Sequence, residues 1–229
     1  MNVELTPEQG RVLGALMEKE NTTPDYYPLT LNGLVTACNQ KSNRDPVMQL
    51  VDSQVLEALD GLRELQLAWT VEALDSRVPK YEHNVDKKLN LTLQEVAVLC
   101  VLLLRGAQTI GEIRTRSARI YPFETLDEVA ITLQTLNERE DGPLTIKLPV
   151  QPGRKEARFF HLLCGDPDFD ALAQTPLPAT ASKKSNGVEA ERVDELALQV
   201  ESLSEKVTRL ESELSDLRHA FGRFKAEFE

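Results

Sequence analysis

Leu5-Thr6-Pro7-Glu8-Gln9 opens a pattern that the chain repeats as Leu91-Thr92-Leu93-Gln94-Glu95. Working outward, Val12, Leu13 and Leu16 return as Val98, Leu99 and Leu102. Val55, Leu59 and Leu62 return as Val129, Leu133 and Leu136. The unit closes on Lys80-Tyr81-Glu82-His83 and again on Arg158-Phe159-Phe160-His161. The offset drifts from 86 to 74 to 78, as insertions and deletions in loops produce. Each copy is then one unit of roughly 80 residues, large enough to bury a small core.

Within the first copy, Thr6 suits an N-cap, Pro7 the first helical position, and Gln9 completes a reciprocal cap. Val12, Leu13, Leu16 and Met17 fall at helical spacing, so residues 7–19 are predicted helical. Two prolines within residues 21–28 end that helix. Thr30 caps a second, short helix with Leu31, Leu34, Val35 and Cys38 on one face. After a polar loop, a third helix is expected over about residues 53–65, with Val55, Leu56, Leu59, Leu62 and Leu65 inward. The period then falls to two. Leu67, Trp69 and Val71 share one strand face, with Trp69 assigned to the core, and Tyr81, His83 and Val85 form the return. Asp75-Ser76-Arg77-Val78-Pro79 is the hairpin tip.

The second copy repeats the order. Thr92 with Glu95, Thr109 with Glu112 and Thr125 with Glu128 are predicted as three reciprocal caps. Ile110 and Ile113 point inward from the second helix, and Leu126, Val129, Leu133 and Leu136 from the third. Leu144, Ile146 and Leu148 alternate in a strand; Phe159, His161 and Leu163 return from a tip at Gln151-Pro152-Gly153-Arg154-Lys155. Three helices followed by a two-stranded hairpin is the order of a winged helix.

The expected fold class is therefore mainly α with small β-hairpins, an α+β chain. Its parts are a winged-helix domain over residues 1–86, a second over 87–166, a disordered linker over 167–188 and a coiled-coil helix over 189–229. The linker reading rests on Pro167, Pro176 and Pro178 and on Ser182-Lys183-Lys184-Ser185-Asn186-Gly187. In the tail, Val193, Leu196, Val200, Leu203, Val207, Leu210, Leu214 and Leu217 alternate steps of three and four. β-Branched residues at one seam position and Leu at the other favour a parallel two-stranded coil. Lys206 would then face Glu211 of a partner helix, and Glu213 would face Arg218. The alternative is one amphipathic helix folding back on its own chain.

The net charge of −11 is uneven. Residues 1–86 carry 7 basic and 14 acidic side chains, whereas residues 87–170 carry 11 and 12. An acidic chain does not draw nucleic acid through its overall field, so any DNA contact must come from local patches. No apolar run approaches the roughly 18 residues of a membrane span, and the N-terminus does not resemble a secretory signal. Cys38, Cys100 and Cys164 form no disulfide framework. The expectation is a cytoplasmic protein with no membrane association.

The loop Asn39-Gln40-Lys41-Ser42-Asn43-Arg44-Asp45-Pro46-Val47 resembles that of the YceH-like family of bacterial proteins. So do Leu104-Arg105-Gly106-Ala107-Gln108-Thr109 and Glu112-Ile113-Arg114-Thr115-Arg116-Ser117. The resemblance covers roughly residues 4–166. It implies tandem winged helices and carries over no catalytic residues.

A winged helix presents its third helix to the DNA major groove. Here the expected outward residues are Ser53, Gln54, Glu57, Asp60 and Glu64 in one copy, and Asp127, Glu128, Thr132, Thr135 and Glu138 in the other. Carboxylates repel a polyanion, so a protein-facing role weighs as much as base reading. The candidate phosphate contacts lie elsewhere: Lys41, Arg44, Arg114, Arg116, Arg119, Arg154, Lys155 and Arg158. Asn39, Gln40, Ser42 and Asn43 serve either to read bases or to tie down their loop. His83 and His161 match between copies but lack clustered ligands, so they are read as strand residues and no metal or cofactor is expected. No phosphate-binding glycine loop or catalytic elbow appears, and an enzyme is not expected. Two functions remain: a dimeric regulator binding double-stranded DNA, or an interaction scaffold for a protein partner. The regulator uses a homodimer formed through the C-terminal coil; in the scaffold the coil either oligomerises the protein or recruits a helical partner.

Overall fold

Thr6 caps the first helix as predicted. Its hydroxyl accepts from the Gln9 amide at 3.2 Å, and the Gln9 side chain accepts from the Thr6 amide at 2.9 Å. A side-chain cap of this kind is worth about 1 kcal/mol. The computed structural model describes residues 4–71, 78–150, 154 and 156–166. The linker at 167–188, the coil residues Val193 to Leu217, Lys155, and the tip residues 75–77 and 151–153 lie outside the described residues.

The first copy contains α1 (Pro7–Thr22), a short 3-10 turn, β1 (Leu29–Thr30), α2 (Leu31–Cys38), α3 (Asp52–Glu64), β2 (Ala68–Val71) and β3 (Lys80–His83). A four-residue helix, α4 (Val85–Lys88), leads to the second copy. That copy contains α5 (Leu93–Arg105), α6 (Ile110–Arg116), α7 (Leu126–Asn137), β4 (Thr145–Lys147) and β5 (Phe159–His161). The described residues thus form a mixed α+β fold of seven α-helices and two small antiparallel sheets, with one helix–helix–helix–hairpin order present twice.

The first sheet has the order β1-β3-β2, with Leu29 opposite Tyr81 and Ala68 opposite His83. In the second, Thr145 faces His161, Ile146 faces Phe160 and Lys147 faces Phe159. A single antiparallel bridge from Gln108 to Phe159 stands where β1 stands in the first copy. Both segments run directly into a threonine cap: Thr30 accepts from the Gly33 amide, and Thr109 from the Glu112 amide. The repeat therefore extends to a structural element that the sequence pattern did not show.

Most inward positions are as expected. Val12, Leu13, Leu16 and Met17 are fully buried, as are Val55, Leu62, Val98, Leu99, Leu102, Ile113, Val129 and Leu136. The buried apolar residues of the two copies join into one cluster. α5 is apolar on nearly every side because it lies at the centre of that cluster, against α1 and α7. Gly14 lets α1 and α5 approach closely, since a Cβ there would lie 3.0 Å from Leu104 and 3.2 Å from Leu103.

Several inward assignments are corrected. Leu56 is 39% exposed, because the α3 stripe runs through Val55, Ala58, Leu59 and Leu62 and Leu56 falls beside it. Leu126, the first residue of α7, is 50% exposed. Trp69 is 41% exposed rather than core. Leu67 and Ala68 are both buried after a left-handed Gln66 (φ 60°), so the alternation restarts there and turns Trp69 outward. Thr132, expected outward, is buried, and its hydroxyl donates to the Glu128 carbonyl at 2.8 Å. The caps at Thr92 and Thr109 are reciprocal, but the third is not. Glu128 accepts instead from the Glu124 amide, one residue before the cap.

Candidate functional site

The loop of residues 39–46 is held from beneath by two buried arginines. Arg11, on α1, donates to the carbonyls of Cys38 and Pro46 at 3.1 and 2.6 Å. Arg44 reaches back under its own loop to the Ala37 carbonyl and the Glu18 carboxylate. Asn39 exchanges two 2.7 Å hydrogen bonds with the backbone of Leu50. From the second copy, Arg105 donates to the Asn43 side chain, and the Leu104 carbonyl accepts from the Asp45 amide at 2.9 Å. These bonds assign Asn39, Asn43 and Arg44 to building the loop, the structural side of the alternatives the sequence left open.

Where this loop meets the second copy, a cleft of about 480 Å³ opens. Its walls are residues 43–46, the α5–α6 turn, α6 and the β4–β5 hairpin. Gly106 forms the turn at φ 65°, ψ −145°, a conformation open essentially to glycine alone. Leu148, Pro149 and Phe160 supply apolar surface, and Arg105, Arg116, Arg154 and Arg158 bring guanidinium groups. Glu112 organises two of them. Its carboxylate lies 3.0 Å from Arg158 and 3.6 Å from Arg116 while also capping α6 through the Thr109 amide. Burial works to raise the Glu112 carboxyl, but the Thr109 amide and the two arginines hold it below the usual carboxylate range. Gln108 accepts from Arg116 and donates to the Arg105 and Ala107 carbonyls.

The predicted phosphate contacts scatter. Lys41 and Arg119 are exposed. Arg44 is corrected: its side chain is fully buried and ion-paired, so it offers nothing to an external phosphate. Arg114 donates to the Phe123 and Glu124 carbonyls, which anchors the segment between α6 and α7. Arg116, Arg154 and Arg158 converge on the cleft. Arg105, Gln108 and Phe160, which complete it, were not among the candidates. For Arg105 and Gln108 the signal was the Leu104-Arg105-Gly106-Ala107-Gln108-Thr109 stretch itself, in which an arginine flanks a glycine turn; Phe160 stood in the repeated Arg158-Phe159-Phe160-His161 segment.

The outward faces of the third helices are acidic. Ser53, Gln54, Glu57, Asp60 and Glu64 are all exposed on α3, together with Leu56. On α7, Asp127, Thr135 and Glu138 are exposed around Ile131, itself 63% exposed. The histidines lie apart in β3 and β5. His83 approaches Glu20 at 2.8 Å, and His161 stacks on Phe160 with ring centroids 4.5 Å apart. Burial raises the thiol of Cys38 to about 12 and that of Cys164 to about 11, and also pushes Cys100 up. All three are far from a reactive thiolate at neutral pH. No described helix is long and apolar enough to cross a membrane.

A duplicated helix–helix–helix–hairpin unit on one core, with a cleft where the copies meet, defines a class of repeated α+β proteins. The chain belongs to the family described as "Protein of unknown function, DUF480", whose model matches residues 5–154. It is 50% identical over 204 residues to a UPF0502 protein of Geobacter sulfurreducens, covering 89% of this chain and 91% of that one. It is 45% identical over 221 residues to a UPF0502 protein of Vibrio atlanticus, covering 95% and 100%. Likewise it is 44% identical over 221 residues to UPF0502 protein YceH of Salmonella newport, covering 95% and 97%.

Proposed function

We propose that this chain is a tandem winged-helix interaction protein that docks a protein partner on the outward faces of α3 and α7. The observation that carries the reading is the charge of those two faces. α3 presents Glu57, Asp60 and Glu64, and its single basic residue, Arg63, is paired with Asp60 at 3.0 Å. α7 contains no lysine or arginine. A helix entering the major groove needs donors for base edges and cations for phosphates, and these offer carboxylates. Leu56 and Ile131, exposed among the acids, suit a partner with apolar sockets rimmed by basic residues. The C-terminal heptads pair two chains in this reading, so that weak faces act jointly through effective concentration.

Double-stranded DNA is the second reading, favoured by the exposure of Lys41 and Arg119. Two measurements on the full-length protein separate them. In the first, fluorescence anisotropy with mixed-sequence duplex is run at about 50 and 200 mM salt; phosphate contact predicts affinity that falls steeply between them. The docking reading expects no such binding. In the second, affinity capture compares the native chain with L56D/I131D. A partner held by the native chain and lost by the folded variant supports docking on these faces. Salt-sensitive duplex binding, with every partner retained by the variant, replaces docking with the DNA reading.

A further inference from the structure

Docking on α3 and α7 leaves the cleft between the copies unused, and the DNA reading draws only on its arginines, not on its apolar wall. We propose that it binds a small organic anion, a phosphate or carboxylate carried on an apolar body. Its volume of about 480 Å³ lies within the range of small-molecule sites, roughly 300–1,000 Å³. Its lining sets an apolar wall of Leu148, Pro149 and Phe160 beside a cluster of charged side chains, so it can hold an apolar body and an anionic group together. Five arginines and three carboxylates line it. Arg44 is already neutralised by Glu18 from behind. The remaining wall therefore holds one more cation than anion, in a chain whose net charge is −11.

The cations are also held ready. Glu112 and the Ala107 carbonyl fix the Arg158 guanidinium, while Gln108 and Glu112 fix Arg116. Ordering these long side chains in advance removes much of the entropic cost of gripping a planar anion. Arg158 keeps one buried donor, Nε, without a partner. Arg154, half-buried at the cleft, has no hydrogen-bond or ion-pair partner among the described residues. The buried Arg158 Nε is costly unless an acceptor arrives. Phe160 offers a flat surface on which the body of the ligand can rest, its ring already backed by His161. Ligand bound here would touch both copies, since Asn43 and Asp45 come from the first and Arg154, Arg158 and Phe160 from the second.

The test is isothermal titration of the full-length protein with phenyl phosphate, phenylacetate, inorganic phosphate and benzyl alcohol. The proposal expects binding of at least one aromatic anion. Inorganic phosphate and benzyl alcohol should each bind at least about tenfold more weakly, because each supplies only half of the recognition. Preference between phenyl phosphate and phenylacetate identifies the anionic group. R154A should weaken the aromatic anion by about tenfold or more, the loss of one charge-assisted contact, with the melting temperature unchanged. R154K should restore part of it. Absence of aromatic-anion binding at millimolar concentration, binding unchanged in R154A, or equal binding of benzyl alcohol would each overturn the proposal. None of these results depends on whether α3 and α7 dock a partner.

Discussion

Arg44 and Glu18 form a two-pronged ion pair beneath the 39–46 loop, with Nη2 2.6 Å from Oε2 and Nη1 3.1 Å from Oε1. The same guanidinium donates to the Ala37 carbonyl through Nε and Nη2 and to the Asn43 carbonyl through Nη1. It thereby ties α1, the end of α2 and the loop together. Burial opposes the charge on Glu18, and Arg44 overrides it, holding the carboxyl below its usual range. R44A should cost about 3–5 kcal/mol, because it strands a buried carboxylate and a carbonyl. A double replacement of Glu18 and Arg44 by leucine should cost clearly less than the two single changes added. Urea denaturation of the three variants measures this. Full additivity would mean that the two groups do not act as a pair.

His161 makes the fold sensitive to mild acid. Its ring is buried, Nδ1 has no partner, and burial lowers its pKa from the ordinary value of 6.5 to about 4. Between those values the unfolded chain takes up a proton that the fold excludes. Stability therefore falls as pH drops from about 6.5 to about 4 and gains no further loss from this group below that. The full effect is on the order of 3 kcal/mol. Glu18 and Glu112, both depressed, add their own losses as pH falls through their folded-state values. H161Q should flatten the upper part of the profile and leave the lower part. Thermal melts at half-unit pH steps would show it, and an unchanged slope above pH 4.5 would place the sensitivity elsewhere.

The fold was legible where local chemistry and periodicity agreed. Thr6, Thr30, Thr92 and Thr109 each cap a helix at the expected position, because a cap and its third residue are read without tertiary information. The misplacements share a cause. Leu56, Trp69 and Leu126 are apolar but lie beside the buried stripe or out of strand phase, and hydrophobicity alone does not say which neighbour fills a given gap. The site was less legible. Arg44 and Arg158 look alike in a polar loop, yet one is buried against Glu18 and the other faces a cleft. That difference depends on Glu18 and Glu112, which lie 26 and 46 residues away in sequence.

Gly106 sets the turn that forms one wall of the cleft. At φ 65° and ψ −145° any side chain is strained, although a Cβ would find its nearest neighbours 3.9 Å away at the Asp45 carbonyl and 4.0 Å away at Phe160. The cost of G106A is therefore conformational rather than steric, about 1–3 kcal/mol. If the strain relaxes by moving the turn, Gln108 leaves its bridge to Phe159 and the cleft changes shape. Chemical denaturation gives the first quantity. Hydrogen exchange at the amides of Gln108 and Phe159 reports the second, with faster exchange expected at both. A G106A protein of native stability would show that the backbone accepts an ordinary residue there.

Glu112 links the helix start to the charge of the cleft. One carboxylate caps α6 through the Thr109 amide and is shared between Arg158 and Arg116, offsetting one of their two charges. E112Q keeps an acceptor for the cap but removes the charge. The expected loss is about 1–3 kcal/mol, the scale of charged hydrogen bonds. E112A should lose roughly 1 kcal/mol more because the cap goes too. The same E112Q substitution raises the cationic excess of the cleft but also loosens Arg158 and Arg116. If the cleft takes an organic anion and the added charge outweighs the lost ordering, the variant should bind phenyl phosphate more tightly than the native chain while being less stable without it. Stability and affinity moving in opposite directions would show that Glu112 acts on the ligand chiefly through its charge, because general loosening of the fold weakens both. Calorimetric titration and unfolding of the same E112Q preparation measure the two quantities together. Parallel losses in both would mean that holding the arginines and the fold in place outweighs the charge.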